Sequence, residues 1–329
     1  MMKIDNEPGS TMQGLTVIVL TYNEVIHIRR CLDSALRVAS EVIVVDSGST
    51  DGTPDIAKQA GACVLHHDWI NHAAQLNWVL ESGEITTDWV MRLDADEYMD
   101  ERLVQEIKHR IVAAPDDITG FEVKRIVIFQ GKKIRFGGGV SPGRVLRLWR
   151  NSKGRCEQRW MDEHMILLQG YSRLLAGRLY DHSLKTLTWW VEKHNDYANR
   201  EAVDILNQQY RFLGDTGLVE GLSRTARNKR LIKNVIYRRL PGGLRAVIYF
   251  IYRTVFRMGL LDGMRGMGFH FMQAFWYRVL VDMKIAETKR YMRVQKVHIT
   301  NAIREILKID VERKTESSND SGGYPAEHM

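Results

Sequence analysis

The chain is poor in cysteine, with only Cys31, Cys63 and Cys156 among 329 residues. The number is odd, none lies near another, and Cys-x-x-Cys is missing. A disulfide framework and a zinc site are therefore disfavoured, and a reducing compartment is expected. No run of eighteen apolar residues occurs, so no simple membrane span is expected. Met1 to Thr11 is polar and carries acids, unlike a signal peptide. The first strand-like run ends at Thr21-Tyr22-Asn23-Glu24. That is not a glycine-rich phosphate loop, which counts against a nucleotidyltransferase. A nucleic-acid motif is also missing. The basic residues of the last third alternate with long apolar faces instead of forming a solvated stripe, which counts against a basic nucleic-acid-binding protein.

What is present is ordinary globular material, 44% hydrophobic and 26% charged, enough for one large domain or two modest ones. The net charge of +7 is uneven: residues 221–310 hold 19 Lys and Arg against five Asp and Glu. An acidic first part and a basic last part point to two different partners.

The first part alternates strand and helix. Leu15 to Leu20 and Glu41 to Val45 are apolar, β-branched runs of the kind buried on both faces of a sheet. Helical spacing follows the first run at Ile28, Cys31, Leu32, Ala35 and Leu36. After the second, Thr53-Pro54 resembles a helix start. Cys63-Val64-Leu65 reads as a third strand, Asn71 to Leu80 as a helix, and Val90, Met91 and Leu93 as a strand ending at Asp94-Ala95-Asp96-Glu97. This alternation predicts an α/β fold with a mostly parallel sheet and helices on both faces. In such sheets ligands bind beyond the carboxyl ends of the strands. Polar clusters stand at three such ends: Thr21–Glu24, Asp46–Asp51 and Asp94–Glu97. An isolated Asp-x-Asp is usually a solvated turn. Here the convergence on one sheet edge favours carboxylates that hold Mg²⁺ or Mn²⁺ beside a diphosphate.

Leu20-Thr21-Tyr22-Asn23-Glu24, Val44-Val45-Asp46-Ser47-Gly48-Ser49-Thr50-Asp51-Gly52-Thr53 and Arg92-Leu93-Asp94-Ala95-Asp96-Glu97, in that order and spacing, resemble the family 2 inverting glycosyltransferases of the GT-A fold. The resemblance covers about residues 15 to 185 and extends to bacterial enzymes of exopolysaccharide and lipopolysaccharide-core assembly. It implies a nucleotide-sugar donor, a UDP-sugar first, and a divalent metal, Mg²⁺ or Mn²⁺. Thr21, Tyr22, Asn23, Glu24 and Asp46 would hold base and ribose, with Ser49 and Asp51 in the adjoining turn. Asp94 and Ala95 would border the ribose. Asp96 would ligate the metal with Asp94, and His182 would approach the metal or diphosphate. Gln75 stands where the family often has a basic residue near the donor phosphates. Arg144 and Arg147 would meet anionic groups on the acceptor side. Glu163 aligns with the relatives' general base, and Asp162 is the second candidate.

From Leu187 onward the period is helical. Leu244, Val247, Ile248, Ile251, Tyr252 and Val255 form one apolar stripe after the break at Pro241-Gly242-Gly243. A second apolar segment runs from Phe269 to Ile285, joined to the first by the glycine-rich Gly259 to Gly268. Arg245, Arg253, Arg257, Arg278 and Lys284 are expected to rim the two faces. Amphipathic helices with aromatics and bases suit an anionic membrane interface. The expected division is a flexible N-terminus (1–13), a catalytic domain (14–184), a basic, helical, membrane-associating region (185–310) and a disordered tail (311–329). The resulting expectation is a cytoplasmic enzyme, peripheral on the inner face of the cell membrane. Its acceptor would be a glycan or polyprenyl-linked sugar.

Overall fold

The computed structural model describes residues 14–138, 141, 143–157, 164–212 and 243–311. Among these, a nine-stranded mixed sheet forms the body. Its first half is parallel and ordered β3 (Cys63–His66), β2 (Glu41–Asp46), β1 (Leu15–Thr21), β4 (Trp89–Asp94). It continues through β8 (Gly143–Arg150), β6 (Ile118–Phe129) and β11 (Tyr171–Asp181) to β5 (Glu97–Met99), with β7 (Lys132–Lys133) paired to β6. The second half is mixed because β8 runs antiparallel to both β4 and β6. A separate ribbon pairs β9 (Gly154–Cys156) with β10 (Met165–Leu167).

Successive strand residues point to opposite faces, so an unbroken apolar strand needs cover on both. β1 shows this directly. Leu15, Val17 and Val19 pack with Ile28, Cys31 and Leu32 of α1 (Ile28–Ala35), Ala57 of α2 (Thr53–Gln59) and Leu103, Val104 and Ile107 of α4 (Glu101–Val112). Ile18 and Leu20 pack on the other face with Ala73, Leu76 and Val79 of α3 (His72–Glu81). Asn71 caps α3 by accepting from Ala74 N at 2.8 Å, and Asp100 caps α4 by accepting from Leu103 N at 2.8 Å.

The C-terminal helices form a second core. α5 (Leu187–Tyr210) contributes Ala198, Ala202 and Leu206, α8 (Tyr277–Gln295) contributes Val281 and Ile285, and α9 (Ile299–Leu307) contributes Ile303 and Leu307. Beside them, α6 (Leu244–Ile251) packs on the 271–276 segment, and α7 (Gly263–His270) packs on β6 and β7. The glycine-rich stretch expected to be a connector is therefore partly helical. Its glycines serve close approach: a Cβ on Gly259 would meet the Arg253 carbonyl oxygen at 2.7 Å and the His270 ring at 2.8 Å. Buried Asp262 ties this layer to the sheet by accepting from the backbone N–H groups of Arg135 (2.9 Å) and Phe136 (3.1 Å). Phe129, Ile134 and Phe269 pack together across the same seam.

The first of the two expected apolar faces is exposed, and the second is divided, with Phe271 and Met283 47 and 65% exposed. Val255, Phe256, Leu261 and Met264 are 54, 73, 64 and 87% exposed, whereas Tyr277, Val281 and Ile285 are core. The expected cationic rim does not form. Arg245 pairs with Asp282, Arg278 pairs with Glu201, Lys284 donates to Asn199, and Arg253 is buried. Of the five, Arg257 alone is exposed. Among the described residues no helix is long and apolar enough to cross a membrane.

Candidate active site

Strand register places the three polar clusters level with one another. Thr21 is the partner of Asp46, and Leu20 is the partner of Asp94. The loops after β1 and β2 then lock into one unit. Asp46 is buried and accepts from Thr21 Oγ1 (3.1 Å), Ser49 Oγ (2.5 Å), Gly48 N (2.9 Å) and Ser49 N (2.8 Å). That is about the full acceptor capacity of a carboxylate. Asp46 thus builds the loop through which it would meet a base. Ser49 Oγ accepts from Asn23 N at 2.8 Å, and Asn23 Oδ1 accepts from Thr50 N at 2.9 Å. Asp51 accepts from Val25 N at 3.0 Å and from the Thr53 backbone and hydroxyl. Tyr22 is half-buried beside these loops. Glu24 accepts from Lys185 Nζ at 2.8 Å and bonds His27 Nδ1. Although burial pushes the other way, His27 and Lys185 hold its carboxyl below the ordinary range.

The Asp94–Glu97 turn carries two carboxylates in opposite situations. Asp94 accepts from Arg92 Nη2 at 2.9 Å and from Arg147 Nη2 at 2.8 Å. Burial opposes its charge, yet Arg147 and Arg92 hold it well below the usual carboxylate range. Asp96 is partly buried, and its carboxylate accepts no hydrogen bond from the described residues. Burial, then Asp181, with smaller help from Asp94 and Glu24 and against the pull of Lys193, push Asp96 up to about 6. Ala95 points into the core, so it offers the site only its backbone. Glu97 is buried and accepts from Arg147 Nη2 at 2.5 Å and from Asp94 N at 3.1 Å.

Arg147 is engaged inside the protein, not free for the acceptor-side anionic groups expected of it. The β6–β8 register jumps between Phe121–Leu148 and Glu122–Leu146. Arg147 sits in that bulge, which turns its side chain inward to the Asp94 and Glu97 carboxylates. The anionic groups it meets are the protein's own. Arg144 is exposed.

Gln75 is also turned away from any open phosphate site. It is buried, with its amide donating to Ser47 Oγ and to the His67 carbonyl at 3.4 Å. His182 sits at the edge of the turn, its N–H bonded to the Asp96 carbonyl at 3.1 Å. Its Nδ1 faces Arg30 Nη1 at 3.1 Å. An arginine only donates, so the neutral ring carries its proton on Nε2 and has no lone pair left for a metal. Burial, then Arg30 and His27, lower its pKa. This geometry argues against His182 as a ligand. Among the described residues no group of three or more His, Cys, Asp or Glu forms a ready metal site. Asp162 and Glu163 lie outside the described residues. The flanks are held: Glu157 N bonds the His164 carbonyl at 2.9 Å, and Asn77 of α3 exchanges two 3.0 Å bonds with Cys156.

Comparison with known proteins places this site in a family. The family model described as glycosyl transferase family 2 matches residues 16–162. The lipopolysaccharide core biosynthesis glycosyltransferase LpsC of Rhizobium meliloti is 33% identical over 199 residues, 57% of this chain and 70% of that protein. The chain is a family 2 glycosyltransferase. An uncharacterised glycosyltransferase of Rickettsia felis is 31% identical over 207 residues, 60% of this chain and 72% of its own. One from Rickettsia typhi is 27% identical over 211 residues, 61% and 71%. Among solved structures, the glucosyl-3-phosphoglycerate synthase of Mycobacterium tuberculosis, in complex with Mn²⁺, UDP and glucosyl-3-phosphoglycerate, is similar at 23% identity and TM-score 0.29. That similarity covers 37% of this chain and 50% of the synthase, so the chain spans about half the length of that structure. The glycosyltransferase has the GT-A fold, followed by a C-terminal helical region.

Sequence reasoning did not single out Arg30, His72, Arg92 or Lys193 for the site. Arg30 donates to the Asp96 carbonyl at 3.2 Å and the His182 carbonyl at 2.6 Å, over the Tyr98 ring. Burial, with Arg92 next, lowers His72 to about 3, so it is neutral at physiological pH. The available signal was the α5 spacing Trp189, Lys193, Tyr197, Arg200, one helical face of aromatics and bases.

Proposed function

We propose that this glycosyltransferase moves a sugar, with inversion, from a nucleotide-diphosphate sugar to a saccharide acceptor held at a membrane surface. The donor class is a UDP-sugar first, and the acceptor is a lipid-linked or lipopolysaccharide glycan. The observation that carries the donor reading is the level meeting of three strand ends. One locked double loop lies beside a carboxylate, Asp96, that the described residues leave without a hydrogen bond.

Asp96 fits a divalent cation. It is a hard oxygen donor in a partly buried pocket, surrounded by the carboxylates of Asp94, Asp181 and Glu24. Asp94 is a weaker candidate because Arg92 and Arg147 engage both its oxygens. When bound, Mg²⁺ or Mn²⁺ would neutralise charge on the departing diphosphate. The protein's own residues do the rest. The Asn23–Ser49–Thr50 loop holds the nucleoside end, and Arg147 fixes the Asp94–Glu97 turn. Glu163, with Asp162 second, takes the proton from the acceptor hydroxyl on the face opposite the leaving group.

The membrane reading rests on the exposed apolar face between 244 and 271. The sole acid in that stretch, Asp262, is buried, while Arg257 and Arg265 are exposed. Lys132, Lys133 and Arg135 are exposed on the β7 arm that Asp262 clamps to the same layer. Exposed apolar side chains accompanied by exposed cations and by no exposed acid in the same stretch suit an anionic bilayer surface. This also supports a cytoplasmic, peripheral location on the inner face of the cell membrane and the division into domains at about residue 185.

Thermal stabilisation by a panel of nucleotide sugars and nucleoside diphosphates with Mn²⁺ tests the donor reading. One base family should raise the melting temperature by several degrees, and no response to any of them would overturn it.

A further inference from the structure

We propose that Lys193 of α5 holds the donor's diphosphate, so the helical region supplies a cation that the matched family domain lacks. The inference rests on the nucleotide-sugar reading above. The family match ends at residue 162, and α5 begins at Leu187. Within the matched part, Gln75 stands where a basic residue is expected, and its amide is bonded inward to Ser47 and His67.

A diphosphate entering at the strand ends meets the carboxylates of Glu24, Asp94, Asp96 and Asp181, so it needs cations that are not already engaged. Most are. Arg92 and Arg147 pair with Asp94, Lys185 with Glu24, and Arg125 approaches Asp181 at 3.9 Å. Arg30 is bonded to His182 and to the Asp96 carbonyl. Lys193 differs. Among the described residues it makes no ion pair with a carboxylate. Its ammonium rests 4.7 Å from the centre of the Trp189 ring and 5.7 Å from that of Tyr197. These rings lie one turn to either side on the same helix face, so they orient the ammonium before any ligand arrives. It lies within electrostatic reach of Asp96, Glu24 and His72. Burial works against its charge, and Tyr197, Asp96 and Glu24 outweigh burial, so it stays protonated. Arg200 follows on the same face, beside Tyr197 and within reach of His72. The opposite face, Ala198, Ala202 and Leu206, is fixed in the helical core, which sets the rotation of α5.

Calorimetric titration of UDP, GDP, ADP and CDP, each beside its nucleoside, with Mn²⁺ present, tests this on wild type, Lys193→Met and Lys193→Arg. The diphosphate that binds wild type should bind Lys193→Met about 10- to 100-fold more weakly, the scale of one charged phosphate contact. Affinity for the matching nucleoside should change less than about twofold, and Lys193→Arg should recover most of the loss. Unchanged melting of Lys193→Met excludes misfolding, and Lys193→Gln gives a second neutral variant if it melts early. Equal diphosphate affinity in wild type and Lys193→Met would overturn the proposal, as would an equal loss for nucleoside and diphosphate. A wild-type protein that binds none of these nucleotides would overturn the donor reading itself.

Discussion

Asp96→Asn should make the fold more stable while destroying metal-dependent donor binding. Asp96 is raised from 3.8 to about 6, chiefly by burial and then by Asp181. About two pKa units, at about 1.4 kcal/mol each, set an upper bound of about 3 kcal/mol on the penalty of its charge at neutral pH. The carboxylate is partly exposed, and solvent screening reduces this to about 1–2 kcal/mol. The sign follows from a folded pKa above the unfolded one. The favourable contribution is complete below about pH 4 and is lost as pH rises through about 6. The neutral amide removes the penalty, so melting of Asp96→Asn should exceed wild type by about 2–6 °C at pH 8 and by less at pH 5. Calorimetry at the two pH values measures this, with nucleotide titration in Mn²⁺ alongside. A lower melting temperature at pH 8, or the same gap at both pH values, would refute the electrostatic account of this pocket.

Arg147→Met should lower stability by about 3–5 kcal/mol in denaturant titration, because it leaves Glu97 and Asp94 without their shared cation in the interior. A loss under 1 kcal/mol would mean that the ion-pair network is not what holds the turn. Glu163→Gln should leave nucleotide affinity intact and reduce transfer by about two to four orders of magnitude. If Asp162→Asn gives the larger loss, the two neighbours exchange roles. Phe256→Ser with Leu261→Ser should weaken sedimentation with anionic vesicles at least about tenfold, since each buried apolar side chain contributes about 1.5–3 kcal/mol. Nucleotide affinity should not change, and wild-type protein that ignores anionic and neutral vesicles alike would overturn the membrane reading.

The catalytic half was legible because its signals are local. β1 and β2 are mostly apolar and β-branched along their length, and a strand buried on both faces has few other readings. The polar clusters follow such strands directly, so the parallel fold and its ligand edge came together. Arg147 was not legible in the same way. Arg144, Arg147 and Arg150 stand three apart among apolar residues, and the bulge that turns Arg147 inward depends on the register with β6. The supposed rim failed for a related reason. Arg245, Arg278 and Lys284 look free along their own helices, and their partners Asp282, Glu201 and Asn199 come from other elements or from distant turns. His182 stood beside the turn as expected, but only the structure shows Arg30 on its Nδ1. α4 carries the regular spacing Leu103, Val104, Ile107, Ile111, a local helical signal directly after the Asp-x-Asp motif.

The central claim is sugar transfer from a nucleotide donor at the Asp96 edge. Its most direct test is turnover of a nucleotide-sugar panel by wild type and Asp96→Asn, with Mn²⁺ or with EDTA. Membrane-extracted glycolipid serves as acceptor, and both nucleotide release and the anomeric configuration of the product are followed. Release from one donor family and an inverted anomer are expected, with both lost in EDTA and in Asp96→Asn. Undiminished transfer by Asp96→Asn in EDTA, or a product with retained configuration, would contradict it.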